Sequence, residues 1–211
     1  MTTNTIILQS AGARTKPTIR TTASITERPA ADNAPIGEDS PRLLTAAQVR
    51  TLLALADVYN RGSLIPGLVL VLFAGLRVVE VENLNWTGID LDAGTLLLKN
   101  GWPNQGGGRV VQLSPNACDW LRLHVSKPFM GRTWPADCAT ILKNAGLNVQ
   151  PIALRHTGIA FLLSRDGAAP ATAYWSGIDA GTLHRLLTKP LRKREVEAYW
   201  SLTPASVLGR G

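Results

Sequence analysis

The longest apolar stretch of this chain, Leu64 to Leu76, is broken near its start by Pro66 and Gly67 and closes on Gly75 and Leu76. As a helix it would be about 20 Å long, well short of the hydrocarbon core of a bilayer. It therefore reads as a buried helix, one that the rest of the chain has to wrap. With 211 residues the chain is long enough for one domain with a real core and a tail. The opening residues MTTNTIILQS lack a basic start followed by an apolar run, so no secretory signal is expected and cytoplasmic residence follows by default. No membrane partner is expected.

The net charge of +7 is unevenly placed. In residues 1–40 the bases Arg14, Lys16, Arg20 and Arg28 are balanced by Glu27, Asp32, Glu38 and Asp39, so the whole excess falls in 41–211. A basic folded domain attracts polyanions, of which nucleic acid is the commonest. Two cysteines, Cys118 and Cys138, make neither a disulfide framework nor a metal set and read as small core residues. No metal site and no cofactor are expected.

Residues 1–40 are rich in Thr, Ala, Ser and Pro without a sustained hydrophobic period, which predicts a disordered tail. A folded domain is expected over 41–204, with a second tail over 205–211. Thr45 and Gln48 have the spacing of a capping box, and Leu52, Leu53, Leu55 and Ala56 follow as an apolar helix face. A second helix is expected over 64–74, ending at Gly75. Val78 to Leu84 is open to helix or strand by propensity. Three short strands follow: Ile89 onward into a turn, Leu96-Leu97-Leu98, and Arg109 to Leu113, with a glycine-rich loop at Asn100–Gly108. Ser114-Pro115 has the form of a helix start, Ser at the N-cap and Pro in the first turn, with Trp120 and Leu121 facing inward. Helices are expected near 136–145, 154–165, 170–176, 179–188 and 191–200. The order predicts an α+β, mostly helical fold with a small three-stranded antiparallel sheet.

The stretch from Leu72 to Trp86, with Gly75-Leu76-Arg77, Glu80 and Leu84 at its centre and Ile89-Asp90-Leu91 after it, resembles the first catalytic-arginine box of tyrosine recombinases, the phage-integrase family. Arg109-Val110-Val111-Gln112-Leu113-Ser114-Pro115 is similar to the strand after that family's lysine hairpin, and Ala153-Leu154-Arg155-His156-Thr157 to its second arginine box. The boxes occur in the family's order and the resemblance covers about 42–203. It implies the family's mostly helical catalytic domain. It also implies a chemistry in which a tyrosine cuts one DNA strand, stays linked to its 3′ phosphate and needs no cofactor, because the covalent link conserves the bond energy. Two arginines clamp the scissile phosphate, which suits a planar fork of donors that is always charged. A lysine and histidines move protons.

Carried onto this sequence, the resemblance gives Arg77 and Arg155 as the two clamps. Glu80 is the acid that orients basic neighbours on its helix face. His156 either holds its box in place or moves a proton. The lysine is expected near Asn104, where there is none; Lys99, farther upstream, is the candidate, or else a surface residue at a strand end. The run Gly106-Gly107-Gly108 is not followed by a helix and is no phosphate cradle. Ile152 stands where the family has a histidine and can neither donate a hydrogen bond nor move a proton. The family's spacing from Arg155 puts the nucleophilic tyrosine at Leu187, and counting back from the Tyr199-Trp200 pair gives the same position. A further His or Trp falls on Gly177 or Ile178, with Trp175 out of phase. Of Tyr59, Tyr174 and Tyr199, the last reads as a packing aromatic.

Arg109, His156 and the bases Arg185, Lys189, Arg192, Lys193 and Arg194 are the expected DNA contacts; the last five could instead be a solvated face with Glu195 and Glu197. Three functions stay open: a DNA-binding relative unable to cleave, an active recombinase using Tyr199 or another subunit's tyrosine, and a protein-binding scaffold. The expected partners are double-stranded DNA and other recombinase subunits, at the nucleoid. Because only about 40 residues precede the domain, no DNA-clamping module is expected, and DNA affinity should be modest and salt-sensitive.

Overall fold

In the computed structural model, the described residues are 42–98, 108–129, 133–167, 176, 178, 180–187 and 190–209. The expected tail over 1–40, Lys99, most of the glycine loop, most of the 170–176 helix with Tyr174 and Trp175, and Gly177 and Lys189 lie outside them.

Helix α1 (Ala46–Val58) begins as the sequence reads: Thr45 N–H donates to Gln48 Oε1 at 2.9 Å and Gln48 N–H to Thr45 Oγ1 at 3.2 Å. The Ala46 N–H, another donor the helix cannot satisfy itself, meets the Glu195 carboxylate. Helix α2 (Ile65–Ala74) is the apolar stretch, and every one of its residues is buried. It stops at Gly75, whose φ of 65° is left-handed and open to glycine at little steric cost. Helix α3 (Val78–Glu82) settles the ambiguous segment as helix.

Strands β1 (Ile89–Asp90), β2 (Thr95–Leu98) and β3 (Arg109–Gln112) form one antiparallel sheet in that order, with Leu96 opposite Val111 and Leu98 opposite Arg109. Asp90 shapes the first turn by accepting the N–H groups of Asp92 and Ala93 at 3.0 and 2.8 Å. Alternation puts Leu96, Leu98, Arg109 and Val111 inward and leaves Leu97 and Val110 exposed, paired across the strands.

Helices α4 (Pro115–Leu123), α5 (Trp134–Asn144), α6 (Ile152–Asp166), α7 (Ala180–Leu187), α8 (Lys193–Trp200) and α9 (Pro204–Leu208) complete the described part. Ser114 has N-cap backbone geometry, but its buried hydroxyl makes no capping bond, so it starts α4 by conformation with Pro115. Trp120 is buried as expected, its indole N–H donating to Leu202 O at 2.9 Å. The segment read as a tail opens with α9, which Thr203 caps through a bond from Ser206 N–H at 3.1 Å. The folded part thus continues beyond residue 204.

The main core gathers α1, α2, the sheet, α4 and α5 around Leu52, Leu70, Phe73, Trp120 and Trp134. A second cluster, Ile159, Leu163, Ile178, Leu183 and Leu186, packs α7 onto α6. Burying each such aliphatic side chain contributes about 1.5–3 kcal/mol. No helix among the described residues is long and apolar enough to cross a membrane.

Candidate nucleic-acid interface

Helix α6 carries Arg155 into the interior, where 6% of the residue remains exposed. Its Nε–H donates to the carbonyl of Gly75 at 3.1 Å and its Nη2 to the carbonyl of Ser176 at 3.0 Å. Gly75 ends α2, and Arg77 follows two residues later at the N-cap of α3. Two residues of chain span at most about 7 Å, so the two arginine boxes, far apart in sequence, meet at this elbow.

Arg77 is half-buried. Its backbone N–H donates to Glu80 Oε2 at 2.8 Å, while Glu80 Oε1 lies 2.7 Å from Arg109 Nη1. Glu80 thus acts across elements as well as on its own helix face. Arg109, expected to contact DNA, is instead turned inward on β3, 9% exposed and ion-paired to Glu80. An arginine placed on the inner face by strand alternation needs a buried acid, and Glu80 is that acid.

His156, also expected at the interface, is buried within α6 at 7% exposure. Ile152 opens α6 one turn before Arg155 and is half-buried. Leu187 is the last residue of α7. Since α7 packs on α6 through Leu183 and Leu186, the end of α7 belongs to the layer that carries Arg155.

The basic residues lie farther out. Arg185 is exposed and donates to Thr182 Oγ1 at 3.2 Å. Arg192, Lys193 and Arg194 are exposed at the start of α8. Lys193 approaches Glu197 at 3.8 Å, a solvated pair of little energetic weight. Glu195 is directed to the N-terminus of α1, where its carboxylate meets the Ala46 N–H.

Tyr199 cannot be a relocated nucleophile. It is fully buried, stacked on Phe161 at 3.8 Å between ring centroids, and its hydroxyl donates to Leu72 O at 2.6 Å. Burial holds its pKa well above the ordinary value, opposite to what a nucleophile needs. Tyr59 donates to Asp137 Oδ1 at 2.8 Å, and that bond, with smaller contributions from burial and the aspartate's charge, raises its pKa. Both cysteines are buried free thiols, and burial pushes Cys138 up to about 12. Among the described residues no group of His, Cys, Asp and Glu could hold a metal ion.

Gly158 and Ser176 also build the site and lie outside the motifs read from the sequence. A Cβ on Gly158 would sit 2.1 Å from Leu72 O, so only glycine lets α6 lie this close to α2 beside Arg155. Its signal was a glycine inside a helical pattern, where a close backbone approach offsets the loss of helix propensity. Ser176 acts through its carbonyl, which no side-chain pattern encodes.

No protein-family model and no curated protein matches the chain. Solved structures do. XerA recombinase is similar at TM-score 0.59 and 17% identity, over 77% of this chain and 65% of that one. The Tn1549 transposon integrase in complex with transposon right end DNA is similar at 0.57 and 15%, over 77% and 66%. XerH site-specific recombinase bound to its palindromic difH substrate in a post-cleavage complex is similar at 0.57 and 16%, over 81% and 55%. The chain therefore spans less than two thirds of the length of each. With the two arginine boxes joined at the end of α2, a three-stranded antiparallel sheet and helices on either side of it in sequence, the chain has the fold of a tyrosine-recombinase catalytic domain.

Proposed function

We propose that this chain binds duplex DNA, holding a backbone phosphate between Arg77 and Arg155, and that it lacks the nucleophile for cutting the strand. The observation that carries the reading is the bond from Arg155 to the Gly75 carbonyl, which brings the second arginine within two residues of the first. Guanidinium groups suit a phosphate because they stay charged and present several donors in one plane. The net charge of +7 favours a polyanionic partner. The XerH and Tn1549 integrase structures are both complexes with DNA, so the same fold holds DNA in those proteins.

The exposed Arg185, Arg192, Lys193 and Arg194 add phosphate contacts, and Lys189 is assigned with them, while Lys99 stands as the candidate for the proton-moving lysine. Leu187 takes the nucleophile's place and has no atom that can attack phosphorus; Ile152 takes a proton carrier's place and cannot serve. His156, buried beside Arg155, keeps a structural role. The chain acts on DNA at the nucleoid, in the cytoplasm, together with other recombinase subunits.

Fluorescence anisotropy of a labelled mixed-sequence duplex, titrated at increasing salt, tests the reading. Binding should weaken steeply with salt, and Arg77→Ala should lower affinity about tenfold or more at fixed salt. Absence of binding at the lowest salt, or affinity unchanged by Arg77→Ala or by Arg155→Ala, overturns it in favour of a protein-binding scaffold.

A further inference from the structure

A phosphate clamp gives no account of the buried ion pair beside it. Arg109 is the first residue of β3 and lies opposite Leu98, the last residue of β2. The side chains of Arg109 and Glu80 keep only 10% and 13% exposure, so both charges are largely removed from water. Taking one away would strand the other, which is far costlier than losing a surface pair. Glu80 meanwhile receives the Arg77 N–H on its second oxygen. One carboxylate therefore ties the loop end of the β2–β3 hairpin to the N-cap residue of α3.

Two consequences follow from charge and geometry. The backbone of Arg77 is extended, with φ −74° and ψ 147°, between a left-handed glycine and a five-residue helix. The bond to Glu80 fixes the direction in which Arg77 leaves the chain. In addition, a carboxylate within hydrogen-bond reach of Arg77 is a negative charge beside a site meant for phosphate. The Arg109 guanidinium, 2.7 Å away, cancels it.

We infer that Arg109 is a positioning residue for Arg77, acting through Glu80 by holding and neutralising its carboxylate, and that it does not touch DNA itself. The inference rests on the phosphate-clamp reading.

The test is the affinity of the full chain for a mixed-sequence DNA duplex by anisotropy, with a thermal melt of each variant. Arg109→Met, which strands the Glu80 charge, should weaken binding about tenfold, and adding Glu80→Gln should recover it to within about threefold of the wild type. In an Arg77→Ala background, Arg109→Met should cost clearly less than its roughly tenfold effect in the wild type, because the placing of Arg77 is already gone and only the uncancelled Glu80 charge remains to act. Arg109→Lys keeps the charge and should stay within about threefold of the wild type, which preserves the test should the Met variant melt early. Failure of Glu80→Gln to rescue, multiplicative losses from Arg77→Ala and Arg109→Met, or an Arg109→Lys loss as large as that of Met, each makes Arg109 a direct contact and overturns the inference. Should Arg77→Ala alone leave affinity unchanged, the clamp reading fails first and takes this inference with it.

Discussion

Gly158 lies against the carbonyl oxygen of Leu72 so closely that a methyl group on its Cα would stand 2.1 Å from it. The contact brings α6 onto the end of α2, one turn of helix from Arg155 and just before Gly75. Alanine is the better helix former by about 1 kcal/mol, so an unconstrained site would gain from Gly158→Ala. Here the neighbour is backbone and cannot step aside, so the clash wins. We expect a net loss of about 2–3 kcal/mol, read from the urea unfolding midpoint. Unchanged or raised stability would mean that the helices are not in this contact.

Tyr199 caps that same carbonyl. Leu72 lies in the last turn of α2, where carbonyls have no helical partner, and the N–H of Leu76 reaches back to Leu70 instead. Tyr199→Phe leaves a buried acceptor unpaired and should cost about 1–3 kcal/mol in chemical denaturation while the ring keeps its stacking on Phe161. A neutral substitution would show that the carbonyl is satisfied some other way.

Local signals were legible in the sequence where one side chain meets its own backbone. The Thr45–Gln48 box and the Gly75 stop are such cases, since nothing distant decides them. Tyr199 was also readable as packing, from its place beside Trp200. Ser114 shows the limit: its position in the chain is that of a cap, yet its hydroxyl lies buried without making the bond. Arg109 looked like a DNA contact because sequence gives charge and not direction. Strand alternation turned it toward Glu80, and only the sheet register reveals which face is inward. The Arg155–Gly75 bond spans 80 positions, and no pattern of residue types encodes a side chain meeting a backbone carbonyl at that distance.

Stability should fall at high pH. The Cys138 thiol has its pKa raised from 9.0 to about 12 by burial. The unfolded chain therefore gives up this proton first. The thiol's contribution is fully present below pH 9.0 and is lost as pH climbs toward about 12, at about 1.4 kcal/mol per pH unit. Tyr199, raised well above 10.0 by burial, adds loss of the same sign at the top of this range. Urea midpoints between pH 8 and 11 check this: Cys138→Ala should be less stable at pH 8 but decline about 1.4 kcal/mol per unit less steeply above pH 9.0. Equal slopes for both proteins would rule out a buried, protonated thiol.

One experiment tests the phosphate clamp and the missing nucleophile together. The chain is incubated at low salt with a nicked duplex that traps any covalent protein–DNA intermediate, and the sample is divided between a native and a denaturing gel. Retarded DNA is expected on the native gel, lost with Arg77→Ala, and no protein-linked DNA on the denaturing one. Protein-linked DNA from the wild-type chain would mean that a nucleophile is present, and the absence of any retarded species would mean that the clamp does not hold DNA.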